Sequence, residues 1–269
     1  MNKIISLCLL LGTANALADI VRSPIHSVVE VDGTHLIRFE NGRVAFSSSA
    51  DHIVKGDVVE AKIDNKQNLV SIQTLATSSG EEKSLSVLEA IEPPVYEPTI
   101  IGSYNEAVTI FNRLNPNIKR SSECSNRAHV WSSEEFKKNG IKSHKAFLFL
   151  TASYINRVRF KWWFHVAPAM IVREGGRLET RVFDFVFNRR PVTLKEWQDQ
   201  FVFSKRDCLP LQKFSDYDQR ADQTQDCYQK LGTMYDWMPT DFANEERGIY
   251  KTQFNQSEIN AAYAEAIYL

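Results

Sequence analysis

The chain has 269 residues, 43% of them hydrophobic, with 32 basic and 33 acidic residues for a formal net charge of −1. That apolar content can fill a real core and excludes a wholly disordered polypeptide. The balanced charge excludes a global field drawing the protein to nucleic acid or an anionic membrane, so recognition must rest on local shape.

The first eighteen residues read as a secretory signal: Lys3 supplies the positive start, Ile4 to Leu11 the apolar run, and Ala16-Leu17-Ala18 a small-x-small cleavage site. The mature chain is expected to begin near Asp19, in a secreted or periplasmic protein. The apolar run is shorter than a membrane span, which needs about 20 residues, and no later segment approaches that length. Of the four cysteines, Cys8 would leave with the signal. Three then remain in an oxidising compartment, so one should stay unpaired. Cys208 and Cys227 flank a polar, loop-like stretch that suits a closing disulfide, which leaves Cys124 as the free thiol. A free thiol kept under oxidising conditions is a reason to look for chemistry, although a buried inert cysteine would look the same.

Residues 19–78 alternate apolar and polar positions in short runs such as Val58 to Ile63, separated by turn signals at Asp32-Gly33, Asn41-Gly42, Lys55-Gly56-Asp57 and Asp64-Asn65-Lys66. The pattern predicts a small all-β module, a barrel or sandwich. Residues 79–102, rich in Ser, Glu and Pro, form a linker open to processing proteases. The larger domain then spans 103–269.

Within it, Asn105 to Leu114 has helical periodicity. A second helix is predicted to start with a cap at Ser121 or Ser122, carry Glu123 in its first turn, and stop at Gly140. Lys145 to Thr151, Lys161 to Ala167, Met170 to Val172 and Thr180 to Phe187 read as strands, with a hairpin at Gly175-Gly176. A helix over Val192 to Phe201, with Thr193 as its cap, and an amphipathic helix over Ser257 to Tyr268 complete an α+β pattern.

Cys124 thus falls at a helix N-terminus, where unpaired backbone amides favour a thiolate and can bind a developing oxyanion. His165 lies among Trp162, Trp163 and Phe164, whose rings would shield and hold an imidazole; a histidine so placed is also an ordinary core residue. Asp184 is a lone carboxylate in an apolar strand, costly unless paired. Paired about the Gly175-Gly176 turn, His165 would face position 186, two residues from Asp184 on the same face, so that a bulge brings them together. A nucleophile, an imidazole and an orienting carboxylate make a cysteine triad. Trp163 shares parity with His165 and is the expected wall for a bound substrate, with Trp162 in the core. His129, on the same helix as Cys124 but rotated away, is expected to pack beneath the site. No spacing suits a metal site and no glycine-rich phosphate loop is present, so neither metal nor cofactor is expected.

The segment Cys124-Ser125-Asn126-Arg127-Ala128-His129, the helix stop at Gly140, Trp163 to Ala167, Val182-Phe183-Asp184, and Pro191-Val192 followed by Trp197 resemble the bacterial secreted protein glutaminases in order and spacing. The resemblance covers about Tyr104 to Phe203. It implies a papain- or transglutaminase-like α+β core in which the Cys124 helix packs on an antiparallel sheet. It also implies deamidation of glutamine in protein or peptide substrates, with Cys124, His165 and Asp184 as nucleophile, base and orienting acid. That family is made as inhibited precursors, a role that would fall to the N-terminal module. One departure is plain: the family has Pro directly after the Asp, and here Phe185 follows. A monomer with no nucleic-acid or membrane partner is expected. Two alternatives stand beside this reading: a transglutaminase that passes the same thioester to an amine, and an inactive secreted binding protein.

Overall fold

The structure, a computed structural model, describes residues 19–31, 33–50, 53–64, 68–76, 93–219 and 224–268. The signal segment, residues 79–92 of the linker and parts of two turns lie outside the described residues.

The N-terminal module is antiparallel throughout its named strands. It comprises β1 (Asp19–Val31), β2 (Thr34–Phe39), β3 (Val44–Ser47), β4 (Val58–Ile63) and β5 (Leu69–Ala76), in the sheet order β3-β2-β1-β4-β5. The long β1 serves both halves, pairing with β4 through its first residues and with β2 through its last, with a register shift between Ile25 and Ser27 where it bends. A parallel bridge from Phe46 to Asn68 brings the two outer strands together, and Ile25, Ile37, Phe39, Ala45, Val59, Ala61 and Ile63 fill the interior. Alternation in the sequence yields this because every second residue must face that interior.

The larger part is an α+β unit. It contains β6 (Ile100–Ile101), α1 (Tyr104–Asn112), α2 (Cys124–Asn139), β7 (His144–Leu150), α3 (Ala152–Val158), β8 (Phe164–Glu174) and β9 (Arg177–Val182). There follow β10 (Val192–Thr193), α4 (Leu194–Gln198), β11 (Leu209–Pro210), α5 (Phe214–Gln219), β12 (Cys227–Gly232), α6 (Thr240–Glu245) and α7 (Gln256–Tyr263), which continues into a π-helical turn, Ala264–Tyr268. The sheet runs β10-β9-β8-β7-β12-β11, with β6 pairing in parallel to the far end of β8. The two runs read as separate strands on either side of Pro168 are one strand, β8. The strand β6 lies inside the stretch read as linker.

Three local expectations are corrected. The cap of α2 is Glu123, in extended conformation and without a side-chain capping bond, rather than Ser121 or Ser122. The helix over 192–201 is short: α4 follows a two-residue strand and is fixed by a reciprocal Thr193–Glu196 capping box. The cap of α7 is Asn255, one residue before its first turn and two before Ser257.

The two parts share one apolar cluster, since Leu36, Val44 and Phe46 of the module pack with Trp163, Phe164 and Phe149 of the larger unit. Trp163 is fully buried on this seam. Its indole N–H donates to the Phe39 carbonyl at 2.7 Å, and the His26 ring stacks on it with centroids 4.1 Å apart. Arg38, also buried, lies over the Tyr217 ring. The contact therefore has the character of a core rather than of two touching surfaces.

Candidate active site

The site is assembled at the start of α2, where Cys124 occupies the first helical position and is buried, its thiol outside the disulfide. The C-terminal π-helical turn holds this helix start. Both carboxylate oxygens of Glu265 accept from the Glu123 N–H at 3.1 and 3.2 Å, and the Asn126 amide donates to Glu265 at 2.9 Å. Asn126 in turn accepts from the Trp237 indole at 2.8 Å, and the Ala266 carbonyl takes the Lys119 N–H. The next amides along the helix have no intrahelical acceptor, as at any helix N-terminus.

His165 comes from β8, opposite Leu148 of β7. Its Nε2 donates to Asp184 Oδ2 at 2.6 Å, and the same oxygen accepts from the Trp197 indole at 3.0 Å. Cys124 lines the same pocket as the imidazole and acts electrostatically on it. The hairpin register places Met170 opposite Arg181 and Glu174 opposite Arg177, as pairing about Gly175 and Gly176 requires. Asp184 reaches His165 without a bulge because β9 ends at Val182 and the chain turns there. Phe187 and Asn188 donate to the Asp184 carbonyl, and Val186 N–H donates to its side chain at 3.3 Å. Arg120 pins the turn by donating to the Phe185 and Val186 carbonyls.

Burial alone would disfavour a charged imidazole. The Asp184 carboxylate and Cys124 outweigh it, and the His165 pKa is raised to about 9. Burial works against the Asp184 charge as well, but the His165 interaction, the Trp197 hydrogen bond and Arg127 hold its carboxyl below the usual range. The ring is clamped by Phe201, with centroids 4.6 Å apart, and by Phe187, edge-on at 5.3 Å.

A cavity of about 240 Å³ opens on these groups, walled by Cys124, His165, Glu123, Trp162 and Phe187, with Asp19 and Arg43 entering from the N-terminal module. Arg43 donates to Asp19 at 2.9 Å and bridges to Trp162 through its backbone. The placement of the two tryptophans reverses the expectation from parity. Trp163 is core and seals the seam, whereas Trp162 lines the pocket with its ring 6.4 Å from His165. Period-two counting fails because β8 begins only at Phe164, and the two tryptophans sit in the bend before it. Sequence reasoning also passed over Glu123, Arg43, Trp197 and Glu265. Trp197 had a signal in the quoted motif and Glu123 in its place directly before Cys124, whereas Arg43 and Glu265 arrive by long-range packing.

His129 lies deeper on α2, fully buried. Its Nδ1 accepts from the buried Lys145 ammonium at 2.7 Å, and its ring packs between Trp237 and Phe254. Burial and the Lys145 and Lys251 charges keep this imidazole neutral, so it supports the helix behind the site. Cys208 and Cys227 form a disulfide that closes the intervening stretch, and Cys227 starts the strand β12. Among the described residues no helix is long and apolar enough to cross a membrane, and no group of three His, Cys, Asp or Glu side chains could hold a metal ion.

Residues 108–201 match the model of a family described as glutaminase. Among solved structures, that of pro-protein-glutaminase aligns with a TM-score of 0.51 at 12% identity, covering 82% of this chain and 84% of that one. A mutant of the same pro-protein aligns with a TM-score of 0.52 at 12% identity over 81% and 83%. Protein-glutaminase from Chryseobacterium proteolyticum is 17% identical over 61% of this chain and 85% of its own, with a TM-score of 0.40. No curated protein matches the sequence. The matched segment carries Cys124, His165 and Asp184, and the likeness to the pro-protein structures extends the shared fold to most of the chain.

Proposed function

We propose that the chain is a secreted cysteine-dependent amidohydrolase that converts protein-bound glutamine to glutamate and ammonia. The observation that carries the reading is the His165–Asp184 hydrogen bond at 2.6 Å, with His165 lining one pocket together with Cys124 at the N-terminus of α2. The glutaminase family match over residues 108–201 supports the choice of substrate.

In this mechanism the imidazole takes the Cys124 proton, and the thiolate attacks the δ-carbonyl carbon of glutamine. The carbonyl oxygen becomes negative and is met by the free amides of the α2 N-terminus. As the tetrahedral species collapses, the C–N bond breaks, imidazolium donates its proton to the departing nitrogen, and ammonia leaves a thioester on Cys124. His165 then deprotonates a water that attacks the thioester, and the sulfur departs as glutamate forms. Asp184 keeps the ring oriented and stabilises its charge throughout.

The module reads as an inhibitory prosegment, because Arg43 and Asp19 form part of the wall of the pocket that a glutamine side chain must enter. Ammonia release from a glutamine-bearing protein, measured with wild type and with Cys124→Ser, tests the activity. The variant should release none. Repeating the assay with an added primary amine separates water from amine as the acceptor: amine incorporated into the product would make the chain a transglutaminase.

A further inference from the structure

Glu123 stands directly before the nucleophile, and the mechanism above leaves its carboxyl unused. As the N-cap residue it would ordinarily satisfy amides of its own helix, yet its side chain makes no capping bond. Glu265 instead braces the helix start from outside, accepting from the Glu123 N–H and from the Asn126 side-chain carboxamide. The Glu123 carboxyl is thereby left to line the pocket beside Cys124 and His165. In the full chain the group that the module brings into the same pocket is the Arg43 guanidinium, an array of N–H donors whose charge acts on Glu123. Burial and the Glu265 charge raise the Glu123 pKa to about 7, against the pull of Arg43 and Arg127. A carboxylate that basic is a strong hydrogen-bond acceptor.

Glutamine and glutamate differ at one position, an NH₂ group with two donors against an oxygen with negative charge. We infer that Glu123 is the specificity-determining residue that reads this position, accepting an N–H from the substrate carboxamide and repelling the carboxylate of the product. With the nitrogen held at Glu123, the carbonyl oxygen is directed to the helix amides. The product leaves because its new charge faces another carboxylate. The assignment rests on the amidohydrolase reading for its substrate, and its test does not require turnover.

A thiolate attacks iodoacetamide and iodoacetate at the same methylene carbon and expels iodide as the S–C bond forms, so the two reagents differ only in amide against carboxylate. Both are small enough for the pocket of the full-length chain. Labelling of Cys124 is followed by peptide mass at about pH 8, above the Glu123 value. Wild type should prefer the amide reagent, Glu123→Gln should lower the amide-over-acid rate ratio by about tenfold, and Glu123→Asp, which keeps the charge, should retain most of it. A ratio unchanged within about twofold in Glu123→Gln would overturn the inference, and so would an equal slowing with both reagents, which would place Glu123 on the sulfur rather than on the entering group. A shifted ratio in an enzyme that releases no ammonia from glutamine would sink the deamidase reading alone. An unchanged ratio in an enzyme that does release it would sink the Glu123 assignment alone.

Discussion

The Asp184 carboxylate and the His165 imidazole meet through a 2.6 Å hydrogen bond between two buried groups, and the oxygen that receives it is also held by the Trp197 indole. The acid is therefore fixed from two sides and can fix the ring in turn. Asp184→Asn should leave the chain folded but lower ammonia release by a factor on the order of 10³ to 10⁴, because the ring would lose the partner that sets its tautomer and stabilises its charge. Circular dichroism together with the activity assay checks this; a loss of less than about tenfold would remove Asp184 from the reaction.

The same pair sets a pH dependence. The His165 pKa is raised to about 9 in the folded chain from a reference near 6.5. Its contribution to stability is fully present below about pH 6.5 and is lost as pH rises through about 9, because over that window the unfolded chain gives up the proton first. Histidine resonances followed by NMR should show one ring with a midpoint near 9, shifted downward in Asp184→Asn.

The two adjacent tryptophans should separate cleanly by mutation. Trp163→Ala removes a fully buried ring and the hydrogen bond to Phe39 at the seam of the two parts, and should cost about 3–5 kcal/mol in urea unfolding. Trp162→Ala, on the pocket wall, should cost less than about 1 kcal/mol yet slow Cys124 labelling or turnover.

Arg43 offers a direct test of the proposed inhibition. In the full-length chain, Arg43→Ala should speed iodoacetamide labelling of Cys124 severalfold, because the guanidinium and the Asp19 it holds would no longer share the pocket. Equal rates would mean that the module does not obstruct the nucleophile. Since the seam is a shared apolar cluster, a chain cut within the linker should still elute as one complex on gel filtration.

Reduction of the Cys208–Cys227 disulfide frees a loop of sequence separation 19 and should destabilise the chain by about 3 kcal/mol by the loop-entropy relation, read as a lower unfolding midpoint with reductant.

What the sequence made legible was local. Gly140 sits in left-handed conformation at the end of α2, and the tight Gly175-Gly176 turn sets the hairpin register, so the strand of His165 and the approach of Asp184 could be read from spacing. Where chains meet across long separations the reading failed. Glu265 accepts the Glu123 N–H at the start of α2 from a place 142 residues away, and no spacing signals it. The strand β12, Cys227 to Gly232, alternates too weakly to be recognised, being defined by its pairing with β7. The tryptophan assignment failed because parity was carried past the start of a strand.

The most direct test of the account is ammonia released from a glutamine-containing protein by the chain freed of its N-terminal module, in wild type and in Cys124→Ser. Release should scale with wild-type enzyme and be absent in the variant. Equal release by both, or none by a wild type whose Cys124 is readily alkylated, would contradict the account.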